Sequence, residues 1–312
     1  MQSSYIKSVK AGGGNTTCRT PCSCHQFAER DREPAALFQE RGGFTLIELL
    51  VVIAIIAILA AILMPVLGKA KMQAWRVQSG NNIRNLQIGA NMYANDNNGY
   101  LLPNAPFNPP NLGGGKAWVD VSSSAYEESL TEPWAGNTNL ALYTDALLAP
   151  FMSDQLGVYR SPADTMPSPN GQRIRSYSMN GQMGAVYLAL DNFNDDPGAL
   201  QYSKESDLKF PITPSQGFVF CEESPYTIND GFIQVATLTT APGFPDVPAN
   251  YLGGACAFSF ADGHVEIHRW WTKTLLTATT ANPNLLNGNQ NPDWIWYSQH
   301  AAGNAPSATP PP

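Results

Sequence analysis

The sequence predicts an α+β protein in which one long N-terminal helix packs on a C-terminal antiparallel β-sheet head with long loops. Three observations predict it. An almost unbroken apolar run from Phe44 to Leu67 leads into a helical stripe that reaches about residue 98. Alternating apolar and polar residues flank Asp262-Gly263 near the other end. Between them, Gly and Pro are plentiful, at 26 and 25 of 312 residues, while charged residues make up only 14%. That composition suits a loop-rich domain outside the cytosol better than a helical cytosolic enzyme.

The apolar run Phe44–Leu67 comes first because it decides the class. A bilayer core takes about 20 such residues as a helix, so the run can span one. It lies too far into the chain for an ordinary secretory signal and lacks a small-residue cleavage site after it. Two residues break its character. Glu48 is a carboxylate within the span, where insertion costs about 2.5–3.5 kcal/mol, and so it calls for a partner. Pro65 removes one backbone donor and can kink or locally open the helix. A plain anchor needs neither.

The string Gly43-Phe44-Thr45-Leu46-Ile47-Glu48-Leu49-Leu50 resembles the processing motif of type IV prepilins and type II secretion pseudopilins. The resemblance implies a pilin-like fold and a cut between Gly43 and Phe44 by a membrane prepilin peptidase. It implies N-methylation of Phe44 and an assembly role for Glu48, which in that family meets the amino terminus of a neighbouring subunit. Pro65 also resembles a frequent pilin proline. Glycine at the cut suits a peptidase cleft that needs close backbone approach. Residues 1–43 would then be a leader, longer than is typical, held in the cytoplasm by Arg41 and the basic residues before it. The span is 44–67 and the rest lies outside.

Charge and cysteines follow the same division. Residues 1–43 hold six of the 18 basic and four of the 25 acidic residues, which leaves 12 basic and 21 acidic downstream, a net −9. An acidic body argues against binding nucleic acid through phosphate contacts. Cys18, Cys22 and Cys24 fall in the leader, and a lone triplet in a disposable tail is not read as a metal site. Cys221 and Cys256 remain as an even pair, either a disulfide in an oxidising compartment or two buried free thiols.

After Leu67 the helix continues over 68–98. Met72, Trp75, Ser79, Ile83, Leu86, Ala90 and Tyr93 recur at three- and four-residue steps, with Lys69, Lys71, Arg76, Asn81, Arg84 and Asn91 off the stripe. The stripe is read as packing mostly on the protein's own sheet. Asn95-Asp-Asn-Asn-Gly99 ends the helix. The head occupies 99–275. Asn104–Gly115 reads as a loop, Leu140–Leu156 as one short helix, and Gly217–Cys221 as a buried strand. Asp191–Asp196 offers oxygen ligands for Ca²⁺ but lacks the glycine and distal Glu of an EF-hand, so it is read as a solvated loop. At 257–268, Asp262-Gly263 is the strongest short hairpin signal. A two-residue turn there would pair Phe260 with Val265 and Phe258 with Ile267 on one apolar face. The segment 276–312 is an Asn- and Pro-rich tail, disordered from Asn304, whose Trp294, Trp296 and Tyr297 cover the head.

A second resemblance lies at Tyr251-Leu-Gly-Gly-Ala-Cys-Ala-Phe-Ser-Phe-Ala-Asp-Gly-His264. It is similar to the His-x9-Asp-Gly element of prepilin-type proteins of Planctomycetes- and Verrucomicrobia-like bacteria. The motif's His falls on Leu252 here, and the subfamily's Arg-Cys-Pro-Ala-Asp stands as Arg160-Ser-Pro-Ala-Asp164.

These resemblances imply a structural subunit of a type II secretion pseudopilus or type IV-like pilus. It would sit in a bacterial inner membrane as a single-pass protein with a periplasmic or extracellular head. Its partners would be the prepilin peptidase, homologous subunits, a membrane platform with its ATPase, and lipid. The alternative is a membrane-tethered pilin-like protein that binds glycan or secreted cargo and forms no filament. No enzyme, cofactor or metal is expected. His264 and His268 on a strand would stand about 13 Å apart, too far for one metal. Asp262 is taken up by the turn. No nucleophile elbow or phosphate loop appears.

Overall fold

The structure, a computed structural model, describes residues 43–104, 116–120, 135–153, 155–184, 200–234, 243–278 and 290–303. Residues 1–42 of the expected leader, 105–115 of the expected loop, Asp191–Asp196 and the expected tail from Asn304 lie outside the described residues. The chain divides into two units, residues 1–56 and 57–312. In the first, residues 43–56 are all exposed, and helix α1 (Leu46–Asp96) begins there. The helix runs through Pro65 without a break. Its most apolar stretch is long enough to cross a membrane and is not buried by protein at all. Side chains such as Ile53, Leu59 and Leu63 would be strongly unfavourable in water, so lipid is the solvent that suits this stretch.

In the second unit, Ser79, Ile83, Leu86, Ala90 and Tyr93 of the stripe are buried against the protein's own head, and Met72 and Trp75 are half-buried. The off-stripe Lys69, Lys71, Asn81 and Arg84 are exposed. Asn98 at φ 56° closes the helix, and the Gly99 amide donates to Ala94 O at 2.8 Å. That is the left-handed cap which satisfies a terminal carbonyl.

The sheet has the order β3-β1-β2-β4-β5, built from β1 (Tyr177–Asn180), β2 (Phe218–Glu222), β3 (Phe232–Ile233), β4 (Ala255–Phe260) and β5 (Val265–Arg269). It is mixed, not purely antiparallel: the chain leaving β2 crosses over β1, and β3 pairs parallel to β1 on its far edge. Each face carries its own apolar cluster. The first joins Ile83, Leu86 and Tyr93 of α1 to Met179, Phe220 and Ala257. The second joins Phe218, Cys221, Cys256, Phe258 and Phe260 to Trp294, Trp296 and Tyr297. A bulge between Phe218 and Phe220 lets Val219 and Phe220 both reach the α1 side while Phe218 and Cys221 reach the other.

The hairpin forms one residue out of the expected register. Ser259 pairs with Val265, Ala257 with Ile267 and Phe258 with Glu266. The loop is Ala261-Asp262-Gly263, closed by the Gly263 amide on Phe260 O at 2.8 Å, with Gly263 at φ 93°. This is the three-residue type I loop with a glycine bulge. A one-residue slip exchanges faces. Phe258 and Phe260 therefore turn away from Val265 and Ile267 instead of sharing a face with them.

Two other expectations change. Leu140–Leu156 is two short helices, α2 (Ala141–Thr144) and α3 (Ala149–Met152), and a 3-10 turn follows at Leu156–Tyr159. Pro150 starts the second, and Ser153 at φ 48° ends it. A four-residue helix, α4 (Lys273–Leu276), follows β5. The tail then holds α5 (Pro292–Ala301), whose Trp294, Trp296 and Tyr297 are buried as cover for the second face. Asn291 Oδ1 caps α5 by accepting from the Asp293 and Trp294 amides at 3.0 and 3.2 Å.

Polar groups fix α1 on the sheet. Ser79 Oγ donates to Glu222 Oε1 at 2.7 Å and lies 2.8 Å from Tyr177 Oη. The Ala257 amide donates to Glu222 Oε2 at 2.9 Å. Ser259 Oγ donates to Gln87 Oε1 at 3.0 Å, and Arg76 grips Leu252 O. Burial pushes the Glu222 carboxyl up to about 6, against the hydrogen bonds that favour its charged form. A raised carboxyl stabilises the fold while protonated. Its contribution is full below the unfolded value near 4.5 and is lost as pH rises through about 6. Comparing urea unfolding of wild type and Glu222→Gln from pH 4 to 7.5 should show the wild type alone losing about 2 kcal/mol to this group. Parallel curves would refute the assignment.

Candidate processing and assembly site

Residues Gly43–Thr45 precede α1 and Glu48 lies in its first turn. The Thr45 amide and Thr45 Oγ1 each donate to Glu48 Oε2 at 2.8 Å, and the Glu48 amide donates to Thr45 Oγ1 at 3.2 Å. This is a capping box, in which a Thr at the cap and a Glu three residues on satisfy each other's free amides. Thr-x-x-Glu at 45–48 could have revealed it in the sequence, but reading Glu48 for an intermolecular partner passed over the one three residues away. A Cβ at Gly43 would meet nothing within 4 Å among the described residues, which impose no steric demand for glycine there.

Other predicted residues do not join this site. Pro65 lies inside α1. Asp262 and Gly263 form the hairpin loop, where Asp262 Oδ1 accepts from the His264 amide at 3.0 Å and faces His264 Nδ1 at 2.6 Å. Cys221 and Cys256 are free and buried, so the disulfide alternative is not the state seen. Burial pushes both thiols up, which leaves little of the thiolate that oxidation needs. His264 stacks on Phe260 with centroids 4.2 Å apart, and His268 stacks on Trp296 at 3.6 Å. His300 of α5 also stacks on Trp296, with centroids 4.3 Å apart. The histidines act as flat packing partners here, and no cluster fit for a metal occurs among the described residues.

The Arg160–Asp164 segment has a structural use that its sequence did not disclose. Asp164 Oδ2 pairs with Arg173 at 2.7 Å with both side chains fully buried, and it accepts from Ser176 Oγ at 2.7 Å. Breaking one partner of such a pair leaves a buried charge uncompensated.

Residues 40–64 match the family described as the prokaryotic N-terminal methylation motif. The chain has a prepilin-like N-terminus. The match takes in Gly43, Phe44 and Glu48 and ends before Pro65 and the head. No curated protein and no solved structure matches the chain. A prepilin-like motif followed by a membrane-length apolar helix fits a single-pass membrane protein.

The capping box yields a test that needs no assembly partner. Thr45→Ala should raise amide exchange over 46–49 of the full chain in micelles, as loss of a cap worth about 0.5–2 kcal/mol allows the first turn to fray. Thr45→Ser, which keeps the hydroxyl, should exchange like wild type.

Proposed function

We propose that the chain is a structural subunit of a pilus-like filament, cut between Gly43 and Phe44 and methylated on Phe44. The observation that carries this reading is the motif match at 40–64 set directly on an unburied apolar helix. Gly43 supports it. A side chain there would meet no described residue, so the glycine suits a peptidase cleft that needs close backbone approach. The prepilin peptidase, homologous subunits and an inner-membrane platform with its ATPase are the partners that follow. The inner membrane and a periplasmic head follow from the same reading. A type II secretion pseudopilus is preferred over a surface pilus on the subfamily resemblance at Tyr251–His264.

Glu48 would set assembly register against a neighbour's new amino terminus. The capping box makes this an exchange of partners, since the carboxylate already holds Thr45. Open tryptophans in the loops would favour the alternative, a tethered binding protein. Among the described residues Trp118, Trp270, Trp294 and Trp296 are buried and Trp271 is half exposed, which favours the subunit reading.

Intact mass and N-terminal sequencing of the membrane form test the cut. Co-expression with a prepilin peptidase should give a chain beginning at N-methyl-Phe44, and Gly43→Val should keep residues 1–43 attached. An uncut wild-type chain would overturn the reading. Glu48→Val should still be cut but should not enter filaments, as shown by electron microscopy and by shearing.

A further inference from the structure

Phe210 is 87% exposed, more than any other large apolar side chain among the described residues, the membrane-length helix included. Its exposure is not that of a loose loop. Leu208 and Ile212, two positions to either side, are 4% and 1% exposed and hold the backbone to the core. Phe210 is therefore a fixed apolar knob. The turn Glu205–Asp207 precedes it, and both acids are exposed. Asp207 is engaged with the Ser203 and Lys204 amides, and Lys204 Nζ lies over the Tyr100 ring at 4.0 Å. Lys209 is exposed beside the knob. The Glu205 side chain makes no ion pair or hydrogen bond among the described residues.

Elsewhere in the same unit, α1 and the edge strand β5 enclose an open groove of about 460 Å³. Its floor is Val77, Gly80, Val265 and Ile267, and Arg76 and Arg84 stand on its rim. A Cβ at Gly80 would lie 3.8 Å from Val265 and 3.9 Å from Ile267, so the absent side chain is what leaves the groove deep. Val77 is 57% exposed. Arg76 is spent on Leu252 O, whereas the Arg84 side chain has no partner among the described residues. The charges sort the same way. Residues 44–96 hold four basic and two acidic residues, while 99–312 hold eight basic and 19 acidic.

We propose that the Phe210 knob of one chain seats in the α1–β5 groove of a second copy, with Glu205 facing Arg84. An apolar knob meets an apolar floor, and an unpaired acid meets an unpaired base. Phe210 is open in its own chain, so the occupant of the groove comes from another. Knob and groove are different patches, so the contact is head-to-tail and can propagate rather than close as a two-fold dimer. The contact deepens the subunit reading and is measured separately from it, since N-terminal mass reports the cut and cross-linking reports the contact.

A benzophenone amino acid placed at position 210 of the full chain, in its membrane, tests the contact. Irradiation should give an adduct of twice the chain's mass, and peptide mapping should place it within 73–84 or 265–267. Val77→Asp in the recipient should lower the yield about ten- to a hundredfold, as expected for losing a buried phenyl contact. Arg84→Glu should also lower it, and Glu205→Arg in the donor should restore it. Val77 and Phe210 are exposed, so Val77→Asp and Phe210→Ala should unfold at the wild-type temperature, which separates lost contact from lost fold. The proposal is overturned by adducts to lipid, to another protein or to a different part of the second copy. Absence of any dimer adduct, or failure of the charge reversal to restore the yield, overturns it as well.

Discussion

The buried Glu222 carboxylate is the point on which the docking of the long helix depends. A charged group held out of water costs several kcal/mol unless hydrogen-bonded on every side. Here β2 supplies the acid, α1 supplies Ser79, and β4 supplies the Ala257 amide. Three elements distant in sequence must therefore be in register before the group is satisfied. Apolar burial at Ile83, Leu86 and Tyr93 would tolerate a helix that slid or rolled on the sheet. The polar contact does not, because a displaced helix leaves a buried carboxylate short of a donor. Gln87 with Ser259, two turns on, fixes the rotation.

With α1 on one face, the sheet needs cover on the other, and this explains the hairpin register. The Asp262-Gly263 signal was legible because a glycine at positive φ is a local demand. Two- and three-residue loops share that signal, and they differ in which face each side chain takes. The slip puts Phe258 and Phe260 on the face that α5 covers, while Val265 and Ile267 line the α1 side. Nothing within 257–268 could disclose α5. Its own signal, Asn291-Pro292-Asp293 with an Asn cap and a proline at the first helical position, stood within a segment whose composition suggested a tail.

The sequence was legible wherever the demand was local or periodic. The lipid-length run, the stripe from Ser79 to Tyr93 and the strand at Phe218–Cys221 all emerged as read, apart from end residues. It was opaque where a partner came from far away. The parallel β3 is two residues long and exists only because β1 offers it an edge. The Asp164–Arg173 pair joins positions on either side of an irregular loop, and no periodicity announces it. Of the processing string, the residue types carried the family likeness. The role of Thr45 needed the geometry.

That geometry changes how Glu48 is understood. A carboxylate in a membrane span looks like an unmet demand, and the simplest answer is a partner from another chain. In this structure the demand is already met by two donors on Thr45. On the subunit reading, the monomer would then wait in lipid with its carboxylate already hydrogen-bonded. The cut after Gly43 would create an ammonium on Phe44, next to Thr45 in the chain. The bonds that Thr45 donates to the Glu48 carboxylate are already charge-assisted, and an ammonium adds the attraction of an opposite charge on the donor. Exchanging Thr45 for a neighbour's ammonium would thus be downhill but small, because the bond gained is offset by the cap lost. On the subunit reading, a small difference would leave assembly reversible. A bare carboxylate would instead make every encounter strongly favourable and the filament hard to take apart.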